Sequence, residues 1–333
     1  MAEAEVEMPV LHRWVKIVEG KRDPETQAPV LHHYTDAVGL HGIISSNVLW
    51  ATEAQFSNDL SEQQYAIQMG LEVVEAVWKT RVNLGPWEEF LRDSMKQVFS
   101  GSFANLTQPY LVSFCENGDL LSQWRAYSRR SGFSLAFGPL TKDGSLVVRG
   151  GDGFRTILRK VIHEPVEQRE RLSVLAERFI KVVETLPVPA SSDEGSGLRS
   201  ELLLLLILEM TDWACTVKHA AFSEEQEWRL VAFPMLAAKA RENIMVRATP
   251  ESLLPYVILQ PASGQKLPIV EADADQAGSN KSLPKRWVYS CVAMAILLCQ
   301  CHPRRFLFER DMRKAEGPTR STAFFLALNP SCE

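Results

Sequence analysis

The sequence lacks the cysteine spacing of a disulfide framework or of a paired CxxC zinc site. Its six cysteines are scattered over 333 residues. Cys299, Cys301 and His302 form a CxCH cluster that is a candidate for binding a metal, but a tetrahedral site needs further ligands at compatible spacing. We therefore expect reduced, mainly structural thiols, and we assign no metal site.

Long hydrophobic runs are also missing. The two longest, Leu202–Leu208 and Val288–Cys299, are much shorter than the roughly twenty residues that span a bilayer, so we expect buried helices and no membrane contact. The first ten residues, MAEAEVEMPV, are acidic and lack the positive start and apolar core of a secretory signal. We expect a cytoplasmic protein.

Neither sign of charge is in large excess. The formal net charge is -5, with 46% hydrophobic and 23% charged residues, which is typical of a soluble globular protein with a sizeable core. This composition excludes an overall electrostatic footprint for nucleic acid, although it leaves room for local basic clusters. Function must therefore be sought in short segments of the chain.

The most informative segment is LHHYTDAVGLHGIISSNVLWATEAQFSNDLSE, residues 31–62. Its start predicts a strand, and Thr35 or Asp36 is a suitable N-cap for the helix that follows. Asn47 can end that helix in a left-handed conformation, and residues 48–50 are typical of a buried strand. The pattern places an imidazole, a phenol and a hydroxyl at a strand-to-helix turn, where proteins often hold ligands.

A second segment contains the strand-like run YLVSFC, residues 110–115, followed by DLLSQWRAYS, residues 119–128. Asp119 can cap a short helix in which Trp124 lies on one face and Arg125 on another. Arg129 and Arg130 follow in a basic turn. One interpretation is a core helix with solvated arginines. The other is that an arginine binds an anion such as phosphate, which guanidinium groups contact bidentately.

The third segment is FSEEQEWRLVAF, residues 222–233. Alternation predicts a strand that carries Glu225, Glu227 and Arg229 on one face. Two carboxylates two residues apart repel each other, which raises the pKa of one of them. The alternative interpretation is a solvated turn.

Taken together, these segments resemble one bacterial family, domain-of-unknown-function family 2971. The resemblance rests on His33-Tyr34-Thr35, the GII and LWAT that follow, the Asn58-Asp59 to Glu62 loop, SFCENGDLLSQWRAYS, the strand at Gly132 and EQEWR, and it covers about residues 29–235 in order. The family label names no reaction.

A more distant resemblance links the layout to the ADP-ribosyltransferase superfamily. A first strand carries His-Tyr-Thr, a central strand carries Ser-Phe-Cys, and Glu-x-Glu precedes a late strand. The resemblance implies an α+β fold with a mixed, mainly antiparallel central sheet and helical insertions. It also implies NAD as substrate, cleavage of the nicotinamide-ribose bond, and transfer of ADP-ribose to an unknown acceptor, protein or nucleic acid, as in bacterial defence against phage.

Residue by residue, the resemblance implies that His33 anchors a ribose, that Ser113 is the second-motif hydroxyl, that Glu227 is the catalytic carboxylate, and that Glu225 helps to activate the acceptor. The other candidate cofactor-binding residues are aromatic, hydroxyl or basic side chains of the same motifs: Tyr34, Thr35, Phe114, Trp124 and Arg125. The second motif departs from the Ser-Thr-Ser of the arginine-modifying branch. His32 competes with His33 for the anchor position.

Two other functions remain open. A catalytically silent domain of the same fold would bind a nucleotide, RNA or a partner protein. A metal-dependent hydrolase or nuclease would use Asp59 and Glu62, and Cys115 is a further candidate nucleophile if its pKa is low.

The domain prediction has three parts. Residues 1–28 form a loose lead-in, and residues 29–271 form the α+β core with helical insertions at 62–100 and 165–219. Within the second insertion, residues 187–197 are predicted to be a linker or exposed loop because they are rich in proline, serine and glycine. Residues 272–333 form a divergent C-terminal segment, partly helical or disordered.

Overall fold

A computed structural model of the protein describes Val10 and residues 28–56, 60–80, 87–99, 108–127, 132–142, 145–187, 192–235, 237–249 and 252–274. Most of the predicted lead-in and nearly all of the predicted C-terminal segment lie outside these residues. So do Asn58, Asp59, Arg129, Arg130 and the cluster at Cys299–His302.

Helices and strands both contribute to the fold. The strands are β1 Leu31–Asp36, β2 Leu49–Glu53, β3 Tyr110–Cys115, β4 Gly132–Phe137, β5 Thr141–Lys142, β6 Ser145–Leu146, β7 Val148–Gly150, β8 Phe154–Lys160, β9 Glu227–Pro234, β10 Ile244–Ala248, β11 Leu253–Pro261 and β12 Ile269–Ala274. The α-helices are α1 Ala37–Ser46, α2 Leu60–Lys79, α3 Trp87–Phe99, α4 Leu121–Tyr127, α5 Pro165–Glu184, α6 Ser192–Ala214 and α7 Ala237–Glu242. Two 3-10 turns, Ala54–Phe56 and Ala220–Glu225, precede α2 and β9.

Ten strands form one sheet with the path β10-β11-β2-β3-β1-β4-β12, while β9 pairs with β3 and β8, and β7 pairs with β11. The paired strands of the described residues run antiparallel. The protein is therefore an α+β protein with a mainly antiparallel sheet, as the sequence predicts.

The sheet is split beside β3. Along one edge β3 pairs with β9 from Tyr110 to Cys115. Along its other edge β3 pairs with β2 only through Leu111 and Tyr110, and with β1 only at the opposite end, where Cys115 faces His32. The middle of β3 therefore has a ladder partner on one edge and a gap between β1 and β2 on the other.

The segment from β1 to β2 folds as its sequence predicts. Asp36 caps α1 by accepting a hydrogen bond from the backbone N–H of Gly39 at 2.8 Å. Asn47 ends the helix with φ of 57°, and its backbone N–H donates to the carbonyl of Ile43. The cap at Asp36 fixes where β1 stops, and it therefore sets the position of the His-Tyr-Thr turn.

The two largest apolar clusters of the described residues belong to the sheet and to the helical insertions. One face of the sheet, here called the core face, buries Leu31, Phe114, Phe137 and Leu230 under α1. The second cluster joins α2, α3, α5 and α6 through side chains such as Leu91, Leu172, Ile180 and Leu202, none of which is exposed. The two helical insertions therefore pack against each other. Within the described residues, no helix is long and apolar enough to span a membrane.

Two boundaries differ from the predicted ones. The region 187–197 is not a loop throughout, because α6 begins at Ser192 and continues to Ala214. Its serine and glycine residues are accommodated in the helix because the leucine-rich turns that follow are buried in the helical cluster, where α6 contacts α2 and α3. Strand β12 runs to Ala274, three residues beyond the predicted core boundary, because it pairs with β4.

Candidate functional site

The candidate site lies on the sheet face opposite to the core face, here called the open face. Cross-strand register places Ser113 and Cys115 of β3 on this face together with Arg229 and Glu227 of β9. Thr52 of β2 faces Leu111 and lies on the same side. Ser113 is exposed although β3 is an interior strand, so its hydroxyl is accessible where the sheet splits.

His33 lies on the core-face side of β1, because its neighbour His32 pairs with Cys115 on the open face and its own register partner is the core residue Leu135. Its ring nitrogen Nδ1 lies 3.0 Å from the carbonyl oxygen of Ser113, to which it donates a hydrogen bond. This bond satisfies a backbone carbonyl that faces the gap, where neither β1 nor β2 supplies a ladder partner. In the neutral ring the donating Nδ1 leaves the lone pair on Nε2. The ring also packs on Phe114, with 5.7 Å between ring centroids.

Glu227 is the centre of a buried ionic cluster. Nε of Arg229 donates to Oε1 at 2.8 Å, and one terminal nitrogen donates to Oε2 at 3.0 Å. Nζ of Lys218 donates to Oε2 of Glu227 at 3.1 Å and to Oε2 of Glu225 at 2.8 Å. Arg229 also donates to the carbonyl of Cys215 at 3.1 Å. Two cations and two carboxylates thus compensate each other, with Glu227 and Arg229 buried and Lys218 and Glu225 slightly exposed.

Charge compensation determines the pKa of Glu227. Burial alone would raise it, but the charges of Arg229 and Lys218 and the hydrogen bonds from Arg229 and Ser113 outweigh burial and hold the pKa at about 2. The prediction that repulsion between Glu225 and Glu227 raises a pKa is therefore wrong for Glu227. Arg229 and Lys218 both contact its oxygens, and the prediction considered neither cation.

The predicted position of Glu225 on the strand is also wrong. Glu225 ends the 3-10 turn Ala220–Glu225, and Gln226 then adopts a left-handed conformation with φ of 42° before β9 begins. The left-handed residue interrupts the period of two on which the prediction relied. Glu225 and Glu227 are nevertheless joined, because both accept from Lys218.

Gln168 positions Lys218. The side chain of Gln168 is fully buried, and its Nε2 donates to the carbonyls of Ile162 and Lys218. Its Oε1 accepts from the hydroxyl of Tyr65 at 2.6 Å. The side-chain amide of Gln168 on α5 therefore connects the end of β8, the segment before β9 and helix α2. This contact fixes the backbone of Lys218 next to Glu227.

Tyr34 and Trp124 pack against each other over Cys115, with ring centroids 4.9 Å apart and nearly perpendicular planes. The Tyr34 hydroxyl donates to the carbonyl of Asn117 and accepts from the N–H of Leu120, both at 2.9 Å. Asp119 does not cap α4 as predicted, because its carboxylate accepts from Nε1 of Trp124 at 2.8 Å. These contacts hold the loop between β3 and α4 against β1.

The remaining candidates lie around this framework. Phe114 is fully buried on the core face, packed on Phe137. Thr35 is half-buried, and its hydroxyl lies directly under Gly39 of α1, where a Cβ would overlap it. Arg125 is exposed on α4. His32 points to the open face, with Nδ1 3.4 Å from the hydroxyl of Ser134, and the loop at Gly118 covers its ring.

Cys115 is not suited to nucleophilic attack. The thiol is buried, and burial together with the charges of Glu227 and Glu225 raises its pKa to about 12, against a smaller opposite effect of Lys218. At neutral pH the group is a thiol that packs under Tyr34 and Trp124.

Lys218 and Arg247 belong to this face but were not predicted. Lys218 belongs to a bridge and turn segment nine positions before Glu227, and Arg247 belongs to β10, which is separated from β3 by β11 and β2. The short run Ile244–Ala248 carries a weak strand signal, which could have identified Arg247 as a strand residue.

Among the described residues, no group of three or more histidine, cysteine, aspartate or glutamate side chains is arranged to hold a metal ion. Asp59 lies outside those residues, and the side chain of Glu62 is not described. Comparison with protein-family models, with curated proteins and with solved structures finds no significant match. The proposal that follows therefore depends on the residues themselves.

Proposed function

We propose that the protein is an NAD-consuming enzyme of the ADP-ribosyltransferase type, which cleaves the nicotinamide-ribose bond at the split in the sheet and transfers ADP-ribose to an acceptor. The observation that carries the proposal is a continuous polar link across the split. It runs from the imidazole of His33 to the carbonyl of Ser113, and from the hydroxyl of Ser113 to the carboxylate of Glu227. Ser113 and Glu227 thus meet on the open face, and His33 contacts Ser113 from the core-face side through its backbone carbonyl.

The residue types fit the chemistry. Breaking the bond between nicotinamide and ribose develops positive charge on the sugar, and an ionised carboxylate that contacts a ribose hydroxyl stabilises it. With a pKa of about 2, Glu227 is ionised throughout the physiological pH range. Its rigid attachment to Arg229 also fixes the direction of the carboxylate before substrate binds.

The substrate reaches this carboxylate through Ser113. Glu227 is nearly inaccessible, whereas the hydroxyl of Ser113 donates to it from the exposed side. A ribose hydroxyl that replaces the Ser113 hydroxyl, or that donates to it, would couple the sugar to the anion. Glu225 is more accessible, with 14% of its side chain exposed against 4% for Glu227, and it is the candidate to orient an acceptor.

A second function is favoured by one specific observation. A carboxylate accepts about four hydrogen bonds, and Glu227 already accepts two from Arg229, one from Lys218 and one from Ser113. A fully occupied carboxylate is typical of a structural centre. The second candidate is therefore a catalytically silent domain that binds a nucleotide, RNA or a protein on the open face.

The experiment that separates the two functions measures nicotinamide released from NAD by the full-length protein, together with NAD binding by calorimetry. The variant is Glu227→Gln, and the matched control is Glu72→Gln, which removes a carboxylate paired with Arg169 on the exposed surface of the helical insertions. Circular dichroism establishes that each variant is folded.

The enzyme proposal requires that the wild type and Glu72→Gln release nicotinamide and that folded Glu227→Gln loses at least about a hundredfold in rate, the scale of one electrostatic contact in a transition state. Saturable NAD binding without release of nicotinamide would establish the binding function. Turnover that is equal in Glu227→Gln and in the wild type would contradict the assignment of Glu227.

A further inference from the structure

Arg247 reaches the border of the split from the outer part of the sheet. Its side chain extends from β10 across β11, and a terminal nitrogen donates to the hydroxyl of Thr52 on β2 at 2.9 Å. The central carbon of the guanidinium lies 5.8 Å from the ring centroid of Trp50. The charged group is therefore held in place on the open face, beside the strand that lines the gap.

This guanidinium is incompletely satisfied. Among the described residues, no carboxylate oxygen lies within 4.0 Å of Arg247, in contrast to Arg159 and Arg229, which both have carboxylate partners. Its Nε is buried and has no hydrogen-bond partner in that part of the chain. Burial lowers the pKa of Arg247, and the groups of Tyr256 and Asp36 offset part of this effect. A bound anion would compensate this cost.

An accessible aromatic surface lies next to the cation. Trp50 is 43% exposed, and its ring centroid is 4.8 Å from that of Tyr256, which supports it from the neighbouring strand. Exposed indole rings in such positions stack with planar rings, and nucleobases are planar rings that stack on tryptophan. A cation and an indole side by side match a ligand that carries both a phosphate and a base.

Ser113 lies close to Thr52, the residue that Arg247 contacts. Thr52 is directly opposite Leu111 in the pairing of β2 with β3, and Ser113 is two residues further along β3 on the same face. Diagonal neighbours of this kind are roughly 7–8 Å apart. A single extended ligand can therefore contact the hydroxyl of Ser113 at one end and the guanidinium of Arg247 at the other.

The geometry points to a phosphate-binding subsite formed by Arg247 and Thr52, with Trp50 as the adjacent aromatic surface, that takes the diphosphate and base of a nucleoside diphosphate. The inference rests on the proposed function, because it assigns the diphosphate part of the same dinucleotide. It differs from the sequence-based expectation that an arginine such as Arg125 binds the phosphate, because Arg125 lies on α4.

The test measures dissociation constants of ADP and of adenosine by titration calorimetry for the full-length wild type and Arg247→Gln. Arg241→Gln, an exposed arginine on α7, is the control. Loss of a charge-assisted contact should weaken ADP binding by about tenfold or more and leave adenosine binding unchanged. Arg241→Gln should bind ADP like the wild type. Trp50→Ala should weaken the binding of both ligands.

Several results would overturn the subsite: equal ADP affinity of the wild type and folded Arg247→Gln, ADP binding no tighter than adenosine, or the same loss in Arg241→Gln. If Arg247→Gln does not fold, the test is the dependence of wild-type binding on ionic strength. ADP binding should weaken as ionic strength rises, whereas adenosine binding should not. These measurements do not depend on turnover. A protein that binds ADP through Arg247 without releasing nicotinamide from NAD would refute the enzyme proposal and retain the subsite.

Discussion

Arg229 and Glu227 lie two positions apart on one face of β9 and share two hydrogen bonds, of 2.8 and 3.0 Å, with both side chains nearly inaccessible to solvent. The pair is a fixed element of the sheet, because Arg229 also binds the backbone carbonyl of Cys215 at the end of α6. Because the pair is buried, replacing one of its two residues should change both the stability of the protein and the position of the remaining side chain in the candidate site.

Replacing Arg229 with methionine should destabilise the protein by about 3 kcal/mol or more, because a buried carboxylate loses its bidentate partner. The free energy of unfolding in urea measures the effect. Arg159→Met is the matched control: this arginine on β8 pairs with Asp212 on α6, but its side chain is 40% exposed, so the loss should stay at roughly 0–1 kcal/mol. Equal losses in the two variants would show that the Glu227 pair contributes no more than a surface ion pair.

Acid should remove the contribution of Glu227 to stability. Its pKa is depressed from 4.5 to about 2 in the folded protein, so this contribution is fully present above about pH 4.5 and is lost as the pH falls through about 2. We expect the wild type to be more stable than Glu227→Gln near neutral pH, and the difference in unfolding free energy to shrink between pH 4.5 and 2. A difference that stays constant down to pH 2 would contradict the depressed pKa.

Gln168→Leu should destabilise the protein by about 2–4 kcal/mol, because it removes the side-chain donor to the carbonyl of Lys218 and one of the two donors to the carbonyl of Ile162, which keeps the backbone N–H of Lys218. Urea unfolding measures the loss. Gln68→Leu, on the exposed surface of α2, removes a glutamine of the same size and should change stability by no more than about 0.5 kcal/mol. If Gln168→Leu were equally neutral, the amide would not be what holds the backbone of Lys218.

The thiol of Cys115 should resist alkylation in the folded protein at about pH 8, because burial and the neighbouring carboxylates raise its pKa to about 12. Mass spectrometry of the peptide that contains Cys115, after iodoacetamide treatment with and without urea, measures its labelling separately from that of the other cysteines. Rapid labelling without urea would restore Cys115 as a candidate nucleophile.

Short sequence patterns predicted those parts of the fold that depend on contacts between neighbours in the sequence. The segment from β1 to β2 follows from a cap at Asp36, a left-handed residue at Asn47 and apolar spacing between them, all within short reach in the sequence. The alternation of β9 is also local. The roles of His33, Ser113 and Glu227 came instead from the distant resemblance, which did not establish how close the three residues lie.

Long-range contacts explain what was missed. The partners of Glu227 and the order of the strands depend on tertiary pairing, which no short pattern encodes. Lys218 acts through a turn fixed by Gln168 from a different helix, and Arg247 reaches Thr52 across 195 positions. A helix was expected at Leu202–Leu208, but its first turns from Ser192 were missed because their stability comes from the burial of the later turns rather than from their own serine and glycine residues.

The central claim is that a dinucleotide occupies the split between β1 and β2 on the face that carries Ser113. The most direct measurement is the electron density of crystals grown with ADP-ribose. The account predicts ligand density with a ribose hydroxyl within hydrogen-bond distance of the Ser113 hydroxyl and a phosphate at Arg247. Density located elsewhere, or an empty split at ligand concentrations that saturate binding in solution, would contradict it.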